Sequence, residues 1–373
     1  RIEICRRNMI NAEQMAFKMV CGGTIDGGEI PELMDEALSR ADQKGFAERR
    51  AESAARGMLR GFGVGMYLEQ CGGGSDGGVD VKFREDGTIL VLASQQENGQ
   101  GHRTTLTQIL SDKLGFDADK IEILQGDSAR TPPGTTGGAR MTAVLGSTVA
   151  EVAARTLEAA CPYAAEALMC DEGELVFVDG IFSASGTNRS ITIEDLVLRL
   201  VPDSGDHPFN IKHSYEPDGS TYPYGCHIAE IEIDPATCDV NIMRYTVVDD
   251  FGAVINPLML EGQIHGGIAQ GIGQAIHEYA AFDEQGQLVA GSLMDYRLPR
   301  AADLPTFDIH FRSIPCKNNI LGVKGSGEAG AIGAPQAVIA AVTDALGIAH
   351  IDMPATPAAI WQALQNKRSG KVA

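Results

Sequence analysis

The sequence has 373 residues, of which 44% are hydrophobic, and its mean hydropathy is close to zero. This length accommodates two domains of ordinary size, and the composition excludes a disordered chain. Acidic residues outnumber basic residues by 50 to 30, which gives a formal net charge of −20. Such a charge repels nucleic acid and anionic membranes, so we expect neither as a partner.

Eight cysteines are spread along the chain without a C-x-x-C pair, and the eight histidines show no H-E-x-x-H spacing. These patterns argue against a zinc site or an iron–sulfur cluster, and we predict no side-chain metal ligands. Scattered thiols are typical of a reducing compartment, so we expect a cytoplasmic protein. The sequence begins at Arg1 within a charged helical pattern, and we expect it to be a piece of a longer protein.

The elements, in chain order, predict an α+β fold. Residues 31–56 contain one or two amphipathic helices, within a helical lead-in over residues 1–57. Residues 58–216 are the predicted first half. They contain a strand-like run, a glycine-rich loop at 71–78, a hairpin turning at Asp86-Gly87, helices at 102–115 and 147–169, a small hairpin at 173–184 and the start of a surface connection at 201–225.

The predicted second half, residues 217–373, repeats this order of elements. A strand, a turn and a strand occupy residues 227–250, and a glycine- and glutamine-rich segment then enters a helix. A glycine-rich loop precedes the last apolar helix, which we expect to begin at Pro335, a favoured first helical position. The sequence therefore predicts two similarly built α+β halves.

The string GSGEAG at residues 325–330 matches the G-x-G-x-x-G pattern of dinucleotide-binding turns. That interpretation requires a buried strand before the glycines, a helix starting inside them and an acidic residue after a second strand. The preceding residues are short and polar, the helix is expected only at Pro335, and Asp344 lies inside that helix. A nucleotide-binding oxidoreductase therefore stays as an alternative that the pattern disfavours.

The same loop places Glu328 and Lys324 ahead of the apolar helix. Burial would raise the proton affinity of this carboxylate and a nearby lysine would oppose that shift, which suits a general base near neutral pH. Two other roles fit the residues equally well. Glu328 could cap the helix, or it could pair with Lys324.

Two further segments have the composition of ligand-binding loops. Gly99-Gln100-Gly101 precedes a helix whose free amides we expect to hold an anion such as a phosphate. Gln263 lies among small residues at helical spacing, including Gly262 and Gly266, which we expect to serve close helix packing. A glutamine there indicates a polar ligand or a satisfied buried network. His265 is kept as a candidate because it lies beside Gln263.

Four motifs carry a resemblance to a known family. In chain order they are ENGQGHRTTLTQI, EIDPATCDVNIMRYTVVDDFGAVINPLMLEGQIHGGIAQGIGQ, SLMDYRLPRAADLP and GVKGSGEAGAIGAPQAV. Together they resemble the C-terminal half of the molybdenum-binding large subunit of the xanthine oxidase and aerobic carbon monoxide dehydrogenase family. The resemblance implies the two-halved molybdopterin-binding fold of molybdenum hydroxylases. It also implies an oxidoreductase that hydroxylates or oxidises an aldehyde, an N-heterocycle or carbon monoxide, with water as the oxygen source.

The resemblance also implies roles for individual residues. Glu328 occupies the position of the general base, in a loop with G-x-G-E character. One departure is the third cofactor loop, which reads Ala-Arg-Met-Thr where relatives tend to read Ser-Arg-Ser-Thr, so two hydroxyl donors are missing. The implied cofactor contacts are Gly99, Gln100, Gly101, Ala139, Arg140, Met141, Thr142, Gln263, Lys324, Gly325, Ser326 and Gly327.

The implied cofactor is molybdopterin with molybdenum, often in a cytosine dinucleotide form in bacteria. The implied partners are the upstream half of the molybdenum subunit, iron–sulfur and flavin (FAD) subunits, a small-molecule substrate and further copies in an oligomer. We expect this chain to be inactive without the upstream half. A non-catalytic fragment or scaffold with the same fold is the remaining alternative.

Overall fold

The computed structural model describes residues 2–20, 22–72 and 77–370. Its helices are α1 (Ile2–Asn8), α2 (Ile30–Arg40), α3 (Phe46–Ala55), α4 (His102–Leu114), α5 (Ser147–Leu168), α6 (Ile193–Arg199), α7 (Pro257–Ile276), α8 (Ala329–Leu346) and α9 (Pro357–Arg368). Its strands are β1 (Phe17–Lys18), β2 (Thr24–Ile25), β3 (Leu59–Leu68), β4 (Gly78–Phe83), β5 (Ile89–Ala93), β6 (Ile121–Leu124), β7 (Leu175–Val178), β8 (Ile181–Ala184), β9 (Ser190–Thr192), β10 (Ile211–Ser214), β11 (Tyr224–Ile233), β12 (Val240–Asp250) and β13 (Phe307–Arg312).

The first large sheet has the strand order β10-β4-β5-β6. The predicted hairpin joins β4 and β5, and Gly87 has the left-handed φ of +78° that its turn requires. Helix α4 ends at Gly115, which has a φ of +60°, as the sequence predicted. Apolar residues of this sheet pack with α4 and α5 into one hydrophobic core. The small hairpin of β7 and β8 gains a third strand, β9.

The second large sheet has the strand order β13-β12-β11-β3. Helices α7 and α8 cover one face of this sheet, and α2 packs on the other face. All ten residues of β11 are buried, because both faces of that strand are covered. Apolar residues of the helical lead-in therefore pack against this sheet in a hydrophobic core on the face opposite α7 and α8.

The two sheets are built in the same order. In each half a hairpin is followed by a helix, then by a strand parallel to the second hairpin strand, and then by another helix. These elements are β4, β5, α4, β6 and α5 in the first half, and β11, β12, α7, β13 and α8 in the second. Each sheet is extended by one antiparallel strand beside the first hairpin strand, β10 or β3. This confirms the predicted α+β fold with two similarly built halves.

Two strands differ from the sequence predictions. Strand β3 lies in the second sheet beside β11, although residues 58–216 were predicted as the first half. Strand β10 lies within the predicted surface connection, where four residues are too few to give a clear alternating pattern. The predicted glycine-rich loop at 71–78 includes residues 73–76, which lie outside the described residues.

Helix α8 begins at Ala329, six residues before the predicted start, and contains Pro335 in its second turn. It is long and apolar enough to cross a membrane, but 67% of it is buried inside the structure. Alternate glycines of β3 allow this close packing. A Cβ atom at Gly61 or Gly63 would lie 1.9 Å or 2.0 Å from a carbonyl oxygen of α8. Helix α8 therefore lies directly on β3, which fixes the position of Glu328 at its N-terminus.

Candidate functional site

A cleft of about 280 Å³ lies between the two halves and is lined by loops from both. Helices α4, α7 and α8 begin at this cleft, as does the π-helical turn Thr142–Gly146 that leads into α5. The cleft brings together most of the residues predicted for the site: Gln100, Ala139, Arg140, Met141, Thr142, Gln263, Lys324, Gly325, Ser326, Gly327 and Glu328. Gly99 and Gly101 flank Gln100 and do not line the cleft.

The helix N-termini differ in how their amide groups are satisfied. In α7, the side chain of Asn256 accepts a hydrogen bond from Met259 N at 3.0 Å. In α8 and in the π-helical turn, the residues at the N-cap position, Glu328 and Met141, make no side-chain capping bond. These two N-termini therefore lack a side-chain cap, and the helix dipole at each favours an anionic group nearby.

The amides of the Gly99–Gly101 segment do not have the role that the sequence predicted. The Glu97 carboxylate accepts hydrogen bonds from Gly99 N at 3.1 Å, Gly101 N at 3.0 Å and Arg103 N at 3.1 Å. Partial burial opposes ionisation of Glu97, but these amides and His102 outweigh it, so the pKa of Glu97 lies below its ordinary value. A carboxylate of the chain therefore already occupies the Gly99, Gly101 and Arg103 amides, and these three are not free to hold an anion such as a phosphate.

Glu328 makes neither of the two structural contacts that the sequence left open. It occupies the N-cap position of α8 without a side-chain capping bond, and its side chain is exposed to the cleft. Lys324 instead pairs with Asp250, at 2.9 Å between Nζ and Oδ2. Glu328 is therefore held at the cleft by its backbone while its carboxylate is accessible.

Lys324 is a buried part of the loop's support. Its side chain is 1% exposed, and its ammonium group lies 4.8 Å from the centre of the Tyr224 ring. The partner carboxylate of Asp250 also accepts hydrogen bonds from Gly252 N and Ile314 N. Because its charge is already paired, Lys324 positions the loop and does not offer its ammonium group to a ligand.

Gly325 is required by the close approach of three chain segments. A Cβ atom at this position would lie 2.5 Å from the Ala139 carbonyl oxygen and 2.6 Å from Cys71 Sγ. Gly330 has a different role, because its Cβ would lie 2.5 Å from Ile268 N in α7. The glycines of the G-x-G-x-x-G string therefore serve loop contact and helix packing. Val323, ahead of the string, forms only an isolated bridge, so the buried strand of a dinucleotide site is not found there.

The third predicted loop is shaped by its backbone. Gly138 and Ala139 both have left-handed φ values, +60° and +49°, and Arg140 donates a hydrogen bond to the Thr135 carbonyl oxygen at 3.0 Å. The side chain of Met141 is buried in the first hydrophobic core. At this position the missing serine hydroxyl is thus replaced by a side chain that packs in the hydrophobic core.

The residues of α7 separate into two groups. Gln263 lines the cleft, whereas His265 is exposed outside it, 3.7 Å from Glu261. A Cβ atom at Gly262 or Gly266 would meet nothing within 4 Å, so the prediction that these two glycines serve helix packing is wrong. The packing contacts with α8 are made by Gly267 and Gly271, whose side of the helix faces that neighbour.

Sequence reasoning missed three residues near the site. His102 lines the cleft and is buried, and its desolvation lowers its pKa to about 4, so the imidazole is neutral at pH 7. Glu69 and Cys71 follow β3 and lie beneath the glycine-rich loop of Glu328. Only the position of His102 next to Gln100 was a usable signal, since the other two approach the loop from a distant part of the chain.

The comparisons with known proteins agree with this geometry. The molybdopterin cofactor-binding domain family matches residues 36–305. The chain belongs to this family. Its relatives include the carbon monoxide dehydrogenase large chain of Hydrogenophaga pseudoflava, 31% identical over 390 residues that cover 98% of this chain and 48% of that protein. Nicotine 6-hydroxylase large subunit of Paenarthrobacter nicotinovorans is 31% identical, over 97% of this chain and 47% of that protein.

Solved structures of the family share the fold. A Cu,Mo-CO dehydrogenase in its carbon monoxide reduced state matches with a TM-score of 0.90 and 27% identity, over 99% of this chain and 49% of that chain. Quinoline 2-oxidoreductase from Pseudomonas putida 86 matches with a TM-score of 0.89 and 31% identity, over 97% of this chain and 49% of that chain. The chain thus spans about half the length of the relatives it matches.

Proposed function

We propose that this chain is the molybdopterin-binding C-terminal half of an oxidoreductase subunit, which hydroxylates or oxidises a small substrate with oxygen from water. The observation that carries this proposal is the position of Glu328. Its carboxylate stands at the uncapped N-terminus of α8, open to a cleft that both halves of a molybdopterin-binding fold line. An aldehyde, an N-heterocycle and carbon monoxide are the substrate classes proposed from the relatives.

The residues of the cleft fit the phosphate and pterin portions of such a cofactor. The uncapped amides of α8 and of the π-helical turn suit anionic oxygens. The buried Nδ1 atom of His102 has no hydrogen-bond partner among the described residues, and Gln263 offers both a donor and an acceptor. We propose that backbone amides at Ala139, Arg140 and Ser326 add to these contacts, since such contacts need no side-chain hydroxyl.

In this proposal the cofactor and the residues of this chain have separate roles. When bound, the cofactor supplies the redox chemistry, which protein side chains lack. The Glu328 carboxylate takes the proton that must leave a water-derived oxygen before a new bond to the substrate can form. The Lys324 and Asp250 pair holds the loop of Glu328, and Gln263 on the opposite side orients polar groups in the cleft.

The larger assembly is part of the same proposal. Relatives are described as a large chain, a large subunit or a subunit of a complex, and this chain is about half their length. We propose that the upstream half of the subunit completes the cleft, and that iron–sulfur and flavin subunits carry electrons away. We also propose an oligomer located in the cytoplasm, where the free cysteines of the described residues would stay reduced.

The proposed base is tested with Glu328→Gln in the intact protein, assembled with its partners. We expect the variant to keep its molybdenum and pterin and to lose a factor of about 10² to 10⁴ in kcat, the usual contribution of a positioned acid or base. Glu52→Gln, an exposed position on α3, is the matched control and should keep the wild-type rate. A Glu328→Gln enzyme that turns over within about tenfold of wild type would exclude the role.

The two alternatives have distinct outcomes. A nucleotide-binding oxidoreductase would bind a nicotinamide or flavin nucleotide at the Gly325–Gly330 loop, but this loop lacks the preceding strand, and Asp344 is hydrogen-bonded to Phe62 N at 2.9 Å. A non-catalytic scaffold would assemble with its partners and contain neither cofactor nor nucleotide. Analysis of the assembled complex for molybdenum, pterin and nucleotide separates these three functions.

A further inference from the structure

A short segment after β3 connects the two loops that form the cleft. Residues 69–72 continue from β3, and Cys71 exchanges backbone hydrogen bonds with Thr221 at 2.8 Å in both directions. Gly72 N donates to the Gly138 carbonyl oxygen at 2.9 Å, and the Thr221 hydroxyl accepts from Gly325 N at 3.2 Å. The segment is thus bonded to the third loop directly and to the loop of Glu328 through Thr221.

The first residue of this segment is a buried carboxylic acid. Glu69 is 8% exposed, and its Oε2 atom has no hydrogen-bond donor among the described residues. Its carboxyl group lies beside the Glu328 carboxyl group and the Cys71 thiol, whose Sγ atom in turn lies against Gly325 in the loop of Glu328. Within the described ranges, neither Glu69 nor Glu328 forms an ion pair with a lysine or an arginine. A buried carboxylate in such surroundings is costly unless it is protonated.

Burial and the neighbouring Glu328 both favour a proton on Glu69. Burial raises its pKa to about 7, and the adjacent Glu328 adds to this effect, while the Cys71 thiol opposes it. Burial and Glu69 itself raise the pKa of Cys71 well above its ordinary value, and the nearby Tyr67 is shifted upward by burial as well. Cys71 and Tyr67 are therefore neutral, so Glu69 and Glu328 are the ionisable pair of this cluster.

We propose that Glu69 and Glu328 form a carboxyl–carboxylate pair in which the buried Glu69 holds the shared proton and donates a hydrogen bond to the exposed carboxylate of Glu328. Two carboxylates at hydrogen-bonding distance do not both ionise readily, and the less solvated one keeps the proton. The shared proton satisfies part of the buried Glu69 carboxyl group, whose Oε2 atom has no donor among the described residues. The pair then carries one negative charge, located on the residue that faces the cleft.

Glu69 is in this account a positioning residue, and this part of the inference rests on the proposed function. A hydrogen bond from a protonated Glu69 fixes the orientation of the Glu328 carboxylate toward the cleft. As the pH rises above about 7, Glu69 loses its proton and its charge repels Glu328, so the proposed base loses this orientation. The pair therefore sets an upper pH limit for activity that depends on a residue outside the cleft.

The pair is tested without catalysis by infrared difference spectroscopy on the intact, cofactor-free protein. We expect a carboxylic acid band in the wild type that disappears with a midpoint near pH 7. The band should be absent in Glu69→Gln and present in Glu52→Gln, the exposed control. In Glu328→Gln the band should disappear at a lower pH than in the wild type, because the Glu328 carboxyl group no longer raises the pKa of Glu69. A wild-type spectrum without such a band near pH 6, or a band unchanged in Glu69→Gln, overturns the inference.

The pH profile of kcat/KM in the loaded enzyme distinguishes positioning from a purely structural role. Glu69→Gln keeps a permanent donor of similar shape, so it should retain folding and activity and lose the decline above about pH 7. A decline identical to that of the wild type contradicts the positioning role. The infrared band tests the carboxyl pair, and the molybdenum content tests the proposed function. A protein that shows the band but contains no molybdenum contradicts only the proposed function. A protein that contains molybdenum but shows no band contradicts only the carboxyl pair.

Discussion

Lys324 Nζ donates to Asp250 Oδ2 at 2.9 Å, and both side chains are buried. Asp250 ends β12, and Lys324 lies four residues before Glu328, so this ion pair joins the second sheet to the loop of the proposed base. Asp250 also accepts from Gly252 N and Ile314 N, which leaves its lone pairs well satisfied. The ion pair therefore anchors the loop, and we expect its removal to lower the free energy of unfolding.

Lys324→Met should lower the free energy of unfolding by roughly 3 to 5 kcal/mol, because it leaves the Asp250 carboxylate buried without its counter-ion. Chemical denaturation of the purified protein measures this change. The double variant Lys324→Met, Asp250→Asn should recover part of the loss, since the uncompensated charge is gone. Lys44→Met, at an exposed position, is the control. A Lys324→Met protein as stable as this control would show that the ion pair is not an anchor.

Gly325→Ala should be destabilising by about 1 to 3 kcal/mol, because the new Cβ would lie 2.5 Å from the Ala139 carbonyl oxygen. The same loop offers the matched control. A Cβ at Gly327 would have only the Ala139 Cβ near it, at an ordinary 3.7 Å, so Gly327→Ala should be close to neutral in stability. Thermal unfolding of the two cofactor-free variants makes the comparison. Equal melting temperatures would contradict the close approach described at Gly325.

Glu97→Ala should weaken the start of α4, because it removes one carboxylate from the amides of Gly99, Gly101 and Arg103. We expect a loss of about 0.5 to 2 kcal/mol, the range for a lost N-terminal cap. Hydrogen exchange should show faster exchange at these three amides than in the wild type. Glu85→Ala, in the exposed turn of the first hairpin, should leave their exchange unchanged. Unaltered protection in Glu97→Ala would contradict the capping role.

Glu69 makes the stability of the protein depend on pH with a defined sign. Its pKa is raised from 4.5 to about 7 on folding, so the folded state binds more protons than the unfolded state between these values. This contribution is fully present below about pH 4.5 and is lost as the pH rises through 7, a change on the order of 3 kcal/mol.

We therefore expect Glu69→Gln to gain stability relative to the wild type as the pH increases from about 5 to 8. Denaturation curves measure the free energy of unfolding of both proteins across this range. The contributions of all other titrating groups cancel when the two free energies are subtracted. Glu52→Gln should show a constant difference over the same range. A constant difference for Glu69→Gln would mean that its pKa is the same in the folded and unfolded states.

The sequence was sufficient for features that depend on neighbouring residues. The Asp86-Gly87 turn, the end of α4 at Gly115 and the repeated order of hairpin and helix were all predicted from local patterns. The resemblance of several motifs in order identified the family, and the cleft contains most of the residues that it implied. These predictions succeeded because turn chemistry and motif order do not depend on how distant segments pair.

The failures concern contacts between distant parts of the chain. Strand β3 pairs with β11, where Leu68 faces Tyr224, and no local pattern identifies that partner. Helix α8 includes Pro335 because its first turns pack on Gly267 and Gly271 of α7, and this tertiary contact outweighs the local cost of proline. Glu69 was missed for the same reason, since only the folded chain brings it to Glu328.

The proposed function requires that this chain holds a molybdopterin cofactor in the cleft of Glu328. The most direct test is elemental analysis for molybdenum together with a pterin fluorescence assay, on the chain produced with the upstream half of the subunit. We predict about one molybdenum and one pterin per chain. A well-folded complex that contains neither would contradict the claim, and the hydroxyl-free positions Ala139 and Met141 would then be the first residues to restore to serine.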